Sequence, residues 1–187
     1  MMLATVTPAV IPDARMVICR GIAFDDGWLV YYTDLRSAKA HQLEECSRAA
    51  CVFFRNALQR QIRIEGPVTM ALESQADAYF TSRPAGAQIC AWISQQSEAL
   101  ESRALPEERF AARRSTLAAP DLDRPAQIPR PDFWGGYRIW IETIEFWTEM
   151  RDRLHDRVAY RRELEPRVDS GGESFAGASW SVSRLWP

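Results

Sequence analysis

The order of patterned segments in this chain predicts a mainly β, α+β fold: an antiparallel β-barrel with helices packed outside it. Three observations carry that expectation. Strand-like segments fill the first third, helical segments the middle and strand-like segments the end, an order that suits an antiparallel sheet and not alternating βαβ units. From Gln61 the alternation is clean, with Ile62 and Ile64 on one face and Arg63 and Glu65 on the other, until Gly66-Pro67 interrupts it and residues 68–72 resume. Such a break is what a barrel corner needs. No GxGxxG leads from a strand into a helix, so a doubly wound nucleotide site has no anchor.

The elements follow in order. Strands are expected over 3–6, 14–20 and 28–33, the last two joined by an Asp25-Asp26-Gly27 turn. Ser37 is positioned to N-cap a short helix over 38–46, and a strand over 50–54 follows. Ser74-Gln75-Ala76-Asp77 has the form of a capping box, at the head of a helix that ends near Arg83-Pro84 because the residue before a proline disfavours the helical region. Helices are expected over 87–102 and 106–117, the second with Pro106 at its first position. The stretch 118–132 holds four prolines and reads as a connection. Strands return over 137–147, 156–162 and 179–185, and the polar, glycine-containing stretch 163–178 reads as a mobile loop.

A chain of 187 residues is long enough to bury one apolar core, so a single domain over 1–187 is expected. Its 25 acidic and 23 basic residues leave a formal net charge of -2, which builds no field for nucleic acid or an acidic membrane. Any anion must therefore be held by a local basic cluster. Four cysteines (Cys19, Cys46, Cys51, Cys90) without a CxxC pair, and two histidines, supply a metal site poorly. No metal is expected, and the thiols read as reduced. With no basic, apolar leader and no span-length apolar run, a cytoplasmic location is expected.

Four clusters stand out as carriers of chemistry. In Arg151-Asp152-Arg153-Leu154-His155-Asp156-Arg157, strand alternation would put Arg153, His155 and Arg157 on one face, either as a phosphate or carboxylate clamp or as a solvated charged hairpin paired with Asp152 and Asp156. Tyr79 and Arg83 lie one helical turn apart. Gln95-Gln96-Ser97 offer neutral donors or simply begin a helix. Arg15 and Arg20, with Lys39 beyond the hairpin, either surround a phosphate or flank a strand as solubilising charges. No Ser/His/Asp order, P-loop, HExxH or EF-hand pattern is present. What remains is a small organic ligand bearing phosphate.

The strings Arg15-Met-Val-Ile-Cys-Arg20, Tyr32-Thr33, Arg60-Gln-Ile-Arg-Ile-Glu-Gly66, Tyr79-Phe-Thr-Ser-Arg83-Pro84, Gln96-Ser97, Phe133-Trp-Gly-Gly-Tyr-Arg138, Ile144-Glu-Phe-Trp147, Arg153-Leu-His-Asp-Arg157 and Trp180-Ser-Val-Ser-Arg184 occur in the order found in pyridoxamine-5′-phosphate oxidases. The chain resembles that family over nearly its whole length. The resemblance implies an FMN-binding split β-barrel, a homodimer with FMN at the subunit interface, and oxidation of pyridoxamine and pyridoxine 5′-phosphates to pyridoxal 5′-phosphate with O2 as acceptor. It further implies that Arg15, Met16, Val17, Ile18, Cys19, Arg20, Tyr32, Thr33, Lys39, Gln61, Gln96, Ser97, Trp147 and Arg157 bind FMN. By the same resemblance Arg20, Tyr79 and Arg83 hold the substrate phosphate, and Arg153 and His155 bind substrate and serve catalysis over its ring.

Three positions depart from the family pattern. Arg20 stands where a lysine is usual, Ser37-Ala38-Lys39 replaces Ser-Arg-Lys beside the cofactor phosphate, and Ala87 replaces a serine of the substrate-phosphate set. The N-terminus is also short relative to the family. Two alternatives follow: a flavin oxidoreductase of the same fold on another substrate, as in the phenazine-pathway oxidases, or a non-catalytic module that holds FMN or pyridoxal phosphate.

Overall fold

A computed structural model describes residues 1–117, 121–124, 126–169 and 172–187. The chain divides into two compact units, one of residues 1–31, 42–70 and 137–187, the other of 32–41 and 71–136.

The first unit is built on an antiparallel sheet. Its strands are β1 (Met2–Val6), β2 (Pro12–Met16), β3 (Gly21–Ala23), the start of β4 (Trp28–Asp34), β5 (Arg48–Arg55), β6 (Arg60–Met70), the end of β7 (Trp134–Trp140), β8 (Thr143–Thr148), β9 (Asp156–Arg161) and, after the hairpin described below, β12 (Ser181–Arg184). Hydrogen bonding runs in the order β12-β9-β8-β6-β5-β1-β2, while β7 joins β6 to β4 and β4 carries β3. Leu3, Leu29, Tyr31, Cys51, Ile64, Ile139 and Ala159 are buried in this unit.

β6 is the hub. Residues Arg60 to Glu65 pair with β8, and Val68 to Met70 pair with β7 instead. The switch falls at Gly66-Pro67, where the sequence places a corner. A Cβ on Gly66 would lie 1.8 Å from the Trp140 carbonyl oxygen, so only glycine lets the two backbones approach. The matching break on the other side is Ile141-Glu142, which separates β7 from β8. The sequence reads 137–147 as one strand; in the structure Ile141 N–H turns to Gly27 O at 2.8 Å and Glu142 N–H to Glu65 O at 3.0 Å. Arg162 secures this corner by donating to Ile141 O (2.8 Å) and Gly27 O (3.2 Å).

Two other expectations change in this unit. The second strand stops at Met16, not Arg20, although Val17 N–H still bonds Met1 O and Arg20 N–H bonds Val30 O, so the stretch stays tethered. The supposed mobile loop is a hairpin of β10 (Leu164–Asp169) and β11 (Gly172–Gly177), with six registered pairs; residues 170 and 171 of that reading lie outside the described residues. Composition misled because a two-stranded ribbon with so many exposed residues needs little apolar alternation. Phe175 reaches inward, with its ring 5.8 Å from that of Trp140. The Asp25-Asp26-Gly27 turn is as expected, with Gly27 at φ +74° and its N–H on Ala23 O.

The second unit holds the start of α1 (Ala38–Glu45), then α2 (Glu73–Ser82), α3 (Ala85–Ile93) and α4 (Leu105–Leu117). Ala85, Ile89 and Ile128 form one buried cluster beneath Trp92, Phe110, Leu117 and Leu122; Phe80, Ala91 and Trp134 form another against Tyr32 and Tyr79. The capping box is not made. α2 starts one residue before it, and Leu72 caps through its backbone oxygen, which takes the N–H groups of Gln75 and Ala76. Ser37 stands at the N-cap position as expected, its carbonyl oxygen taking the N–H groups of Ala40 and His41, while its hydroxyl donates to Asp34 O at 2.6 Å. α3 runs over Ala85–Ile93, not 87–102, and Ser94 leaves it in an extended conformation. In the connection over 118–132, residues 118–120 and 125 lie outside the described residues and the rest form no helix or strand.

Gly66→Ala should destabilise the protein by about 1–3 kcal/mol or more in denaturant unfolding, since a backbone oxygen cannot rotate away from the new methyl. Full stability in that variant would show that β6 does not need its corner. Burial also pushes the Cys51 thiol and the Tyr137 phenol each up to about 12, and the Tyr31 phenol upward as well. These groups are neutral when protonated and titrate later in the folded than in the unfolded chain. Their contribution is therefore whole below about pH 9 and is lost as pH rises toward 12. Urea unfolding should show stability falling across that window and falling less in Cys51→Ala; parallel profiles would refute the assignment.

Candidate functional site

In the second unit, the end of β4, the turn after it and the head of α1 converge on the ammonium of Lys39, which is 8% exposed. Its Nζ donates to Thr33 Oγ1 at 3.0 Å, Ser37 Oγ at 2.8 Å and Gln96 Oε1 at 2.8 Å. Thr33 Oγ1 donates to Gln96 Oε1 at 3.2 Å, and Ala38 N–H to Ser97 Oγ at 3.1 Å. Ser97 reaches that position at φ +75°, a conformation non-glycine residues adopt rarely. α3 ends early because Gln96 and Ser97 take these partners in place of helix bonds. An ammonium, three hydroxyls and the first amides of a helix make a donor set that fits a phosphate monoester.

Beside this cluster stands an aromatic stack. Tyr32 lies parallel to Tyr79 (centroids 4.4 Å apart) and to Trp134 (5.5 Å), and the Arg83 guanidinium sits 4.9 Å over the Trp134 ring. Gly136 makes the space, because a Cβ there would meet the Tyr32 ring at 2.6 Å. The one-turn spacing of Tyr79 and Arg83 thus brings both onto Trp134, a residue to which the sequence gives no role. Trp-Gly-Gly was the available signal: a large flat residue followed by two that leave room around it. A cavity of about 440 Å³ lined by Arg36, Trp92, Arg109, Arg113 and Phe133, among others, includes neither Lys39 nor Tyr79.

In the first unit, register does what sequence distance hides. Gln61 on β6 faces Trp147 on β8, which faces Arg157 on β9, so three residues spread over nearly 100 positions form one row on one face. Arg157 donates from Nε to Glu145 Oε1 at 2.8 Å and from Nη1 to Trp186 O at 2.9 Å. The bond to the buried Glu145 carboxylate raises the guanidinium pKa further. His155 packs 4.7 Å from Trp147, and its Nδ1 accepts the Met150 N–H at 3.3 Å.

Arg153 is exposed and lies outside β9. Residues Arg151–Arg153 form a 3₁₀ turn in which Asp152 and Arg153 both have positive φ, 58° and 60°. Strand alternation therefore does not apply to it, and the shared face of Arg153, His155 and Arg157 is corrected by the turn. Of the two aspartates, Asp156 pairs with Arg184.

Along 15–20, Arg15, Val17 and Cys19 are half-buried while Met16, Ile18 and Arg20 are exposed. Arg15 is engaged within its own unit: Nη1 on Thr5 Oγ1 at 2.5 Å, Nη2 on Gln42 Oε1 at 3.1 Å and on the Asp13 carboxylate. The hydrogen bond from Gln42, then Arg15, holds the Asp13 carboxyl below its usual range. Among the described residues no group of three His, Cys, Asp or Glu side chains is placed to hold a metal ion. No helix among the described residues is long and apolar enough to cross a membrane.

Residues 1–116 match the family described as Pyridoxamine 5′-phosphate oxidase, and residues 134–187 match the Pyridoxine 5′-phosphate oxidase C-terminal dimerisation region. The chain is 43% identical over 187 residues to a pyridoxine/pyridoxamine 5′-phosphate oxidase of Azorhizobium caulinodans, covering all of this chain and 79% of that one. It is 44% identical over 190 residues to the protein of the same name from Rubrobacter xylanophilus, covering 76% of it. Among solved structures, PhzG from Burkholderia lata, in complex with tetrahydrophenazine-1-carboxylic acid, superposes with a TM-score of 0.81 at 26% identity, covering all of this chain and 81% of that one.

The neutral His155 ring should carry its proton on Nε2, because Nδ1 accepts the Met150 N–H. His41 is the chain's other histidine, so long-range ¹⁵N–¹H spectra resolve the question with two ring systems. A proton found on Nδ1 of His155 would remove this hydrogen bond and the ring orientation it sets.

Proposed function

From membership of the pyridoxamine 5′-phosphate oxidase family, to which this chain belongs, we propose an FMN-dependent oxidase that converts pyridoxamine and pyridoxine 5′-phosphates to pyridoxal 5′-phosphate in the cytoplasm. The observation that carries the reading is the Lys39 cluster, since it is a phosphate-shaped donor set even though Ala38 contributes no cation. FMN, when bound, would supply the acceptor for the hydride leaving C4′ of the vitamer, with O2 reduced to hydrogen peroxide; for the amine substrate, water then releases ammonia from the imine to give the aldehyde. Everything else is placement and charge by the protein.

In this reading Lys39, Thr33, Ser37 and Ser97 hold the cofactor phosphate. Gln61, Trp147 and Arg157 border the flavin, with Arg157 kept in orientation by Glu145 and the Trp186 carbonyl. Residues Arg15 to Arg20 and Tyr32 complete its surroundings. Tyr79 and Arg83 hold the vitamer phosphate, the guanidinium being fixed over Trp134. Arg153 and His155 orient the pyridine ring, the imidazole offering its Nε2–H as a donor. The match to a dimerisation region over 134–187 supports a homodimer, in which both chains contribute to each site.

A second reading, a flavin oxidoreductase of the same fold acting on another substrate, is favoured by Arg20, Ala38 and Ala87 and by the likeness to PhzG. Ala87, on α3, offers no hydroxyl to a substrate phosphate. Lysine and arginine also differ in geometry at position 20.

Purified protein supplied with FMN should consume O2 with both phosphorylated vitamers. Turnover of neither would end the first reading, and oxidation of an unphosphorylated compound in their place would establish the second. Arg153→Ala should lower turnover about 10²-fold with FMN retained, whereas Lys39→Ala should weaken FMN binding at least about tenfold. Equal effects of the two variants on both measurements would overturn the division of roles.

A further inference from the structure

The guanidinium missing at Ala38 has a counterpart two residues earlier, at Arg36, but the structure directs it elsewhere. Arg36 binds Asp34 through both branches of its fork, Nε on Oδ1 at 3.0 Å and Nη2 on Oδ2 at 2.7 Å, and its own backbone N–H also bonds Oδ1 at 2.8 Å. Asp34 is 2% exposed. The same Nη2 donates to the carbonyl of Ser94 at 3.0 Å, and the guanidinium lies 3.5 Å over the centre of the Phe133 ring. Phe133 is itself fixed by its carbonyl on Leu35 N–H at 2.8 Å.

We infer that Arg36 is a positioning residue for the cofactor phosphate: it ties the β4–α1 turn to Ser94 so that Gln96 and Ser97 stand at Lys39. This rests on reading the Lys39 cluster as the phosphate site. After α3 ends at Ile93, Ser94 N–H still bonds Cys90 O at 3.0 Å, and from there side chains bind residues 94–97 to the turn. Two of those ties, from Thr33 and Lys39 to Gln96, use the very groups that would face an arriving phosphate. The Arg36 tie does not. It is charge-assisted, anchored on a buried carboxylate and stacked on a ring, so it keeps its geometry whether or not an anion is present. Its charge is matched by Asp34, and it acts through geometry.

The test compares Arg36→Ala, Arg36→Lys and the double variant Asp34→Asn with Arg36→Gln, which removes the clamp without leaving a buried charge. FMN affinity is read from quenching of flavin fluorescence, and order in residues 94–97 from amide hydrogen exchange of the flavin-free protein. All three variants should bind FMN about tenfold more weakly and exchange faster over 94–97, since lysine cannot span the carboxylate, the carbonyl and the ring at once. An Arg36→Lys protein that holds FMN like the wild type would mean that charge alone matters, and would overturn the inference. So would unchanged exchange over 94–97 in the double variant. If the unaltered protein binds no FMN, the reading of the Lys39 cluster fails, while the exchange comparison still decides whether Arg36 is the tether.

Discussion

One strand serves two pairings in this chain, and it can do so only because residue 66 has no side chain. At Gly66 the backbone of β6 passes so close to Trp140 that any Cβ would overlap its carbonyl oxygen. Pro67, next in line, has no N–H to lose from a ladder. Together they let β6 leave β8 and take up β7 without a strand end, and the segment that supplies β7 and β8 breaks at Ile141-Glu142 to match. The cost of glycine in a strand, about 0.5–1 kcal/mol, is small beside the burial of Ile64, Val68 and Ile139 that the corner permits.

The corner also sets the register of the row proposed to border the flavin. Pairing of β6 with β8 counts from Glu65↔Thr143 beside the break down to Gln61↔Trp147, and β8 with β9 carries the count to Arg157. A slip of one residue between β6 and β8 would turn Gln61 to the face opposite Trp147 and Arg157. The backbone corner and the side-chain row are thus one constraint seen at two distances.

This explains which parts were legible. Alternation at 61–65, the Gly66-Pro67 interruption and the Asp25-Asp26-Gly27 turn are local signals, and each has its expected outcome. Where tertiary partners decide, local reading fails. Gln96 and Ser97 have ordinary helical character, yet outside α3 they are held by Lys39 and Ala38. The 74–77 motif has the form of a cap, yet Leu72 O takes the N–H groups of Gln75 and Ala76 instead. The hairpin of β10 and β11 hides because most of its residues are exposed and call for little apolar alternation. A stronger signal for the site also stood in plain view: Lys39 is the only lysine among 23 basic residues, and it is buried.

That imbalance bears on how the site is held. Arginines here fasten one segment to a carbonyl of another. Arg36 joins Asp34 to Ser94 O, Arg157 joins Glu145 to Trp186 O, Arg162 joins Gly27 O to Ile141 O, and Arg130 joins Glu73 and Asp77 to Trp134 O. A planar fork with five donors can satisfy a carboxylate and a carbonyl at once, which an ammonium cannot do with fixed direction. The one ammonium is placed where a different property is useful. On a flexible stem it can turn from Thr33, Ser37 and Gln96 toward an incoming oxyanion, giving up its own tie to Gln96 while the ties of Arg36 to Ser94 O and of Ala38 N–H to Ser97 Oγ remain.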